Sequence, residues 1–447
     1  MPNDYLSITN SDLQTGEAKH VKTQGFAAME SARTTYLRTI GLALDPFATP
    51  VAEQELALSA YALIGDETRP ASDEQLSRPS FFAYYTPPSI KEGQTLLQRL
   101  RQPLSAFIYG PPGAGKTALR LILEADIRSV PEHTLVVSYI LSDDVRHALT
   151  PEQHWNRLRR ALAIDLFVQI VEQFNPLSPP PTPQQIFVLR NQLALGGHAL
   201  RRLVMRLLDD PEPKAFLGLG MLWPAIDRTA VRYVSRSESL IALIKQSLPK
   251  DWFPTSTPIG PLALQESFQA ARLWGFERIF LLIDGLDTRQ RTKAYMMESV
   301  NPLLEEIETW QVQSVFPKFF LPIELQSAVQ GRLSRVGRDL HFSAIETKIR
   351  WDEASLQSIL IERFRAARSR RLGFDDLAGP GLEGKLDALI LRAANGSPRR
   401  LLQIVSSLMD SHAVRDPYDL LINLSDWDRM RGSWGYELPP PLPVSDI

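Results

Sequence analysis

The stretch FIYGPPGAGKTALR, residues 107–120, constrains this chain more than any other part of it. Gly110, Gly115, Lys116 and Thr117 satisfy the spacing G-x-x-x-x-G-K-S/T. Four fixed positions in a chain of 447 residues meet by accident roughly once in a hundred sequences. The flanks give the match its meaning. Leu104 to Gly110 is a short apolar run ending in glycine and reads as a buried strand. From Lys116 the spacing turns helical, with Leu119, Leu121, Ile122 and Ile127 mostly on one face. A glycine-rich turn between strand and helix lets successive N–H groups face one anion, and the positive end of the helix adds to the attraction. Gly110, Pro111, Pro112, Gly113, Ala114, Gly115, Lys116, Thr117 and Ala118 are therefore the expected surroundings of a triphosphate. Lys116 would meet its β and γ phosphates, and the Thr117 hydroxyl would ligate Mg²⁺. The bland alternative is a turn that merely joins a strand to a helix.

A phosphate loop needs a carboxylate for its metal. RIFLLIDGLD, residues 278–287, is the clearest strand in the chain and ends on Asp284. In folds of this type an acid at that point lies beside the phosphate loop. Thr117 and Asp284 are thus the expected metal pair. Gly285 follows, and the next acid is Asp287.

Further strands are expected at residues 133–142, 316–322 and 345–351, alternating with helices, which predicts an α/β protein with a parallel sheet. Thr150 and Pro151 provide an N-cap and a first helical residue for a long amphipathic helix, broken by the proline-rich NPLSPPPTP at residues 175–183. The expected organisation is a polar segment over 1–40, a core over 41–345 with a mainly helical insertion at about 150–260, a helical lid over 346–425 and a proline-rich tail over 426–447. Cysteine is absent, which excludes disulfides and thiolate metal sites. A net charge of −2 gives no global pull toward nucleic acid or acidic membranes. No apolar run is long enough to span a bilayer, and the N-terminus lacks an apolar signal core, so a cytoplasmic location without membrane association is expected.

The pattern D-G-h-D at Asp284 to Asp287 (h for hydrophobic) resembles the acidic motif of STAND ATPases, in particular their NACHT branch, within the wider AAA+ group. NGSPRRLLQIV, residues 395–405, resembles the G-x-P-R element of their lids. GLALDPFATPVAEQE, residues 41–55, looks like the entry segment of bacterial AAA+ ATPases, which lies near the adenine. The resemblance runs from about residue 41 to 410. It implies a P-loop NTPase fold with a C-terminal helical lid and hydrolysis of ATP with Mg²⁺. On that resemblance Lys116, Asp284, Asp287 and Arg399 are the catalytic candidates: Asp287 to activate water, Arg399 to sense the γ phosphate. Pro46 and Phe47 are the adenine candidates. Thr288 stands where a further acid usually follows. The family further implies a nucleotide-dependent switch that controls homo-oligomerisation or the binding of a protein partner. Other readings are a nucleic-acid-handling AAA+ regulator, supported by the arginine run at 363–371, a small-molecule phosphotransferase, and a nucleotide-gated scaffold with little hydrolysis.

Overall fold

The computed structural model describes residues 32–42, 45–52, 85–88, 96–129, 133–141, 148–209, 214–217, 232–235, 237–252, 260–286, 291–336, 344–367 and 373–435. The chain divides into two compact units, one formed by residues 51–355 and one by residues 1–50 together with 356–447.

The first unit is α/β. Its strands are β1 (Ser105–Gly110), β2 (Thr134–Ile140), β3 (Lys214–Leu217), β4 (Arg232–Ser235), β5 (Arg278–Asp284), β6 (Val315–Pro322) and β7 (Ala344–Lys348). Five of them form one all-parallel sheet in the order β2-β5-β6-β1-β7. These are the five strands expected from the apolar runs. Because helices cover both faces, the inner strands are apolar on both sides rather than alternating. Its helices include α1 (Lys116–Ser129), α2 (Pro151–Glu172), α3 (Pro183–Leu195), α4 (Gly197–Asp209), α5 (Glu238–Gln246), α6 (Pro261–Leu273), α7 (Lys293–Glu305) and α8 (Gln326–Val336). On one face of the sheet Leu119, Leu123 and Ile127 of α1 pack with Ala106, Ile108, Val136, Phe280, Leu282 and Phe320. On the other, α2 sends Leu158, Leu162 and Phe167 against Phe107, Tyr109, Val137 and Ile283. Phe107 and Phe319, paired in register across β1 and β6, stack with ring centres 5.2 Å apart.

Helix α2 starts as its sequence dictates. The Thr150 hydroxyl accepts from the Gln153 amide, the Gln153 side chain returns the bond, and Pro151 occupies the first turn. The stretch after the proline-rich break, expected to be mainly helical, also contains the antiparallel hairpin β3–β4. Only four residues long each, its strands are too short to show an alternating pattern.

The second unit is helical. It contains a helix over residues 32–39, α9 (Glu353–Ala366) from Leu356 onward, α10 (Leu386–Ala394), α11 (Pro398–Arg415) and α12 (Leu424–Ser433). The expected core starts at residue 41 and the expected helical lid ends at residue 425. Here residues 32–50 group with the C-terminal helices, and side-chain chemistry explains it. Arg33 bonds Asp45 and Asp410, each at 2.6 Å, and the Ser406 hydroxyl at 2.9 Å. Phe47 is wholly buried, its ring centre 5.5 Å from Phe364 and 5.6 Å from Phe374. α12 belongs to the same body because Trp427 and Met430 are buried and the Asp426 carboxylate meets His412 and Arg415, each at 2.8 Å. Among the described residues no helix is long and apolar enough to cross a membrane.

Lys318 sits in the middle of β6 with no exposed surface. Its ammonium donates to Gln102 O at 2.8 Å and Leu104 O at 2.5 Å, and lies 4.6 Å from the Phe280 ring centre. Burial pushes its pKa down from 10.5 to about 7. Between those values the unfolded chain binds the extra proton. This group therefore makes stability climb as pH rises from about 7 to about 10.5, with no contribution to the slope below pH 7. Urea titrations of wild type and Lys318→Met should show that slope in the first and its loss in the second; parallel pH profiles would refute it.

Candidate functional site

The turn between β1 and α1 is built by two left-handed glycines, Gly113 at φ 81° and Gly115 at φ 85°. Side chains rarely adopt that backbone conformation, so these glycines allow the chain to curl before the helix begins. A Cβ on Gly110 would stand 3.1 Å from Ala114 Cβ, tighter than a relaxed contact. The Ala114 carbonyl accepts a 2.9 Å bond from Trp351 Nε1, which braces the outside of the turn. α1 then starts at Lys116, and the first amides of any helix have no partner inside it. Lys116 is only 3% exposed, and its ammonium donates to Gly110 O at 2.9 Å and Pro111 O at 3.1 Å. The cation is thus held within the loop's own curl.

The two expected metal residues meet. Thr117 Oγ1 donates to Asp284 Oδ2 at 2.9 Å, although 167 positions separate them. β5 and β1 lie on either side of β6, so the end of β5 falls near the start of α1. The Gly285 amide fixes the other oxygen, Asp284 Oδ1, at 2.8 Å. The Thr117 hydroxyl and the Asp284 carboxylate are two oxygen ligands of the kind Mg²⁺ takes, and the amides of a glycine-curled loop are donors of the kind a polyphosphate takes, so these residues could hold the two together.

Glycine at 285 suits the backbone that follows Asp284. It has φ 90°, and a Cβ there would lie 3.0 Å from Leu141 O and 3.1 Å from Ile140 Cγ2. The exit of β5 runs so close to the end of β2, in a left-handed backbone, that a side chain there would be strained. Gly285→Ala is expected to cost at least about 1 kcal/mol. Chemical denaturation checks this, and an unchanged midpoint would refute it. Arg291 spans the same exit, donating to Gly285 O at 2.9 Å and Leu141 O at 3.2 Å. Asp287 and Thr288 lie outside the described residues.

Sequence reasoning missed one feature of the site. Arg120 Nε donates to Asp284 Oδ2 at 3.1 Å, the oxygen that Thr117 also reaches. From Arg120 a buried chain of charges runs inward. Arg120 Nη1 lies 3.4 Å from Glu124 Oε2, Glu124 Oε1 accepts from Arg128 at 3.0 Å, and Arg128 grips Glu172 at the end of α2. The Ser138 hydroxyl joins at Glu124 Oε2 from 2.7 Å, and the Ser138 amide donates to Asp165 at 3.0 Å. Burial alone would lower the pKa of Arg128, but Glu172 and Glu124 hold it above its ordinary value. A signal for this was present: Arg120, Glu124 and Arg128 recur every four residues with alternating sign on a helix that is otherwise apolar on its inner face.

The remaining candidates lie in the helical unit. Ser397 caps α11 through the Arg400 amide and Pro398 takes its first turn, as the NGSPRR pattern predicts. Arg399 is exposed there. Its neighbour Arg400 bonds Ala393 O at 2.8 Å and lies over the Trp434 ring. Phe47 is enclosed by Phe364 and Phe374, and Pro46 O accepts from the buried Arg363. The Phe47 ring offers no exposed face, and Arg363 is not a surface member of the 363–371 arginine run.

A scan of the chain against models of known families finds no match, and a search of curated proteins finds none either.

Proposed function

We propose that this chain is an ATP-binding P-loop ATPase of the AAA+/STAND type, a nucleotide-dependent switch that controls self-assembly or the binding of a protein partner. The observation that carries this reading is the 2.9 Å bond between Thr117 and Asp284 at the mouth of the glycine-curled loop. A turn that only joined a strand to a helix would need neither the pair nor the buried ammonium of Lys116 beside it.

In this reading the curl from Gly110 to Ala118 holds the phosphates, Lys116 neutralises them, and Thr117 with Asp284 holds Mg²⁺. The metal, when bound, draws charge from the phosphate oxygens. Asp287 is the proposed base for water and Arg399 the proposed sensor of the γ phosphate. Slow hydrolysis is a second reading with its own observations: Thr288 stands where a further acid usually follows, and the left-handed, crowded backbone at Gly285 disfavours an acidic side chain directly after Asp284. A nucleotide-gated scaffold would use the same pocket.

The test is a calorimetric titration of the folded chain with ATP and Mg²⁺, followed by phosphate release. Heat of binding with measurable release supports the ATPase; binding without release supports the scaffold. No heat at all from a native chain would end both. Duplex DNA that accelerates release would favour a nucleic-acid role.

A further inference from the structure

We propose that Arg120 is a resident counter-charge on Asp284 that a divalent cation must move toward Glu124, so that Arg120 and Glu124 together set how much Mg²⁺ nucleotide binding requires. The inference rests on the ATP reading above and adds positioning residues to it.

Asp284 Oδ2 carries two donors, the Thr117 hydroxyl at 2.9 Å and the Arg120 guanidinium at 3.1 Å. A cation between Thr117 and Asp284 must draw on that same oxygen. Arg120 competes for it with a full positive charge, in a place where its side chain is 2% exposed and water screens little. The guanidinium also has a second direction to lean. Its Nη1 stands 3.4 Å from Glu124 Oε2 and 3.5 Å from Ser138 Oγ, both long for hydrogen bonds and open to tightening. Glu124 is fixed to receive it, held by Ser138 at 2.7 Å and Arg128 at 3.0 Å. Asp284 does not depend on Arg120 for its orientation, because the Gly285 amide holds its other oxygen at 2.8 Å.

The geometry gives two variants opposite signs. Arg120→Gln removes the competitor and leaves Asp284 oriented. Glu124→Gln, equal in shape, removes the charge that draws Arg120 away and leaves it on Asp284. The experiment is a calorimetric titration of full-length protein with the non-hydrolysable analogue AMP-PNP over a series of Mg²⁺ concentrations and with EDTA. A charge-assisted hydrogen bond of ordinary strength predicts that half-saturating Mg²⁺ falls about tenfold in Arg120→Gln and rises by a similar factor in Glu124→Gln. In EDTA any change in affinity should run the other way, since Arg120→Gln lowers and Glu124→Gln raises the net positive charge beside the polyphosphate, which separates this effect from a merely loosened pocket. An unchanged or raised Mg²⁺ requirement in Arg120→Gln overturns the proposal while leaving the nucleotide site intact. If Arg120→Gln does not fold, Glu124→Gln decides alone, and a requirement no higher than wild type refutes it. Wild-type protein that binds no AMP-PNP in any condition overturns the ATP reading, and this inference with it.

Discussion

A Lys116→Ala chain is expected to melt with hardly any dependence on ATP, whereas saturating ATP is expected to raise the stability of the wild type. A ligand at a hundred times its dissociation constant stabilises a native chain by about 2.7 kcal/mol. Most of that increment should vanish with the ammonium. Lys116 is 3% exposed, so its charge acts where water screens little, and Gly110 O and Pro111 O already aim it into the curl of the loop. The same two bonds brace the loop in the absence of nucleotide. Each variant must therefore be compared with its own ATP-free melting curve. A wild-type-sized shift in Lys116→Ala would remove the phosphate role from this loop, whatever its spacing suggests.

The second large effect is on stability. Phe47→Ala should cost about 3–5 kcal/mol, the range for deleting a fully buried aromatic ring. Phe47 has no exposed surface and touches two further rings, Phe364 and Phe374, which meet each other at 5.1 Å. Removing it opens a cavity between segments that the sequence places more than three hundred positions apart. Phe47→Leu should recover much of the loss. The pair also probes the adenine role expected from the entry segment. If Phe47 serves packing alone, Phe47→Leu leaves ATP affinity unchanged. An affinity that drops in Phe47→Leu while stability holds would return this residue to the nucleotide.

The site was legible in the sequence wherever backbone geometry dictated residue type. Left-handed turns demand glycine, so Gly113 and Gly115 announced the loop. A strand buried on both faces must be apolar to its end, so Asp284 stood out at the end of RIFLLID. Partnerships across the fold were not legible in this way. Nothing adjacent to Trp351 marks it as the donor to Ala114 O. The period-four charges of α1 were visible, but their partners Asp284, Ser138 and Glu172 come from three other elements. The helical unit was hardest for the same reason. Arg33 lies in a stretch that reads as polar and Asp45 in one that reads as part of the core, and only their meeting with each other, Ser406 and Asp410 makes them part of one body. Gly285 belongs to both classes. Its place in D-G-h-D was plain, but the reason for it, the nearness of Leu141, required the sheet.

That the helical unit takes its pieces from both sides of residues 51–355 has a consequence for synthesis. A ribosome delivers residues in order, at about 5–20 per second. The sheet can close as soon as β7 emerges, while Phe47 and Arg33, made far earlier, still wait for α9 and α11. For tens of seconds the nascent chain carries an apolar hook with nothing to grasp. Of the two bodies, the one begun first is the last to be finished.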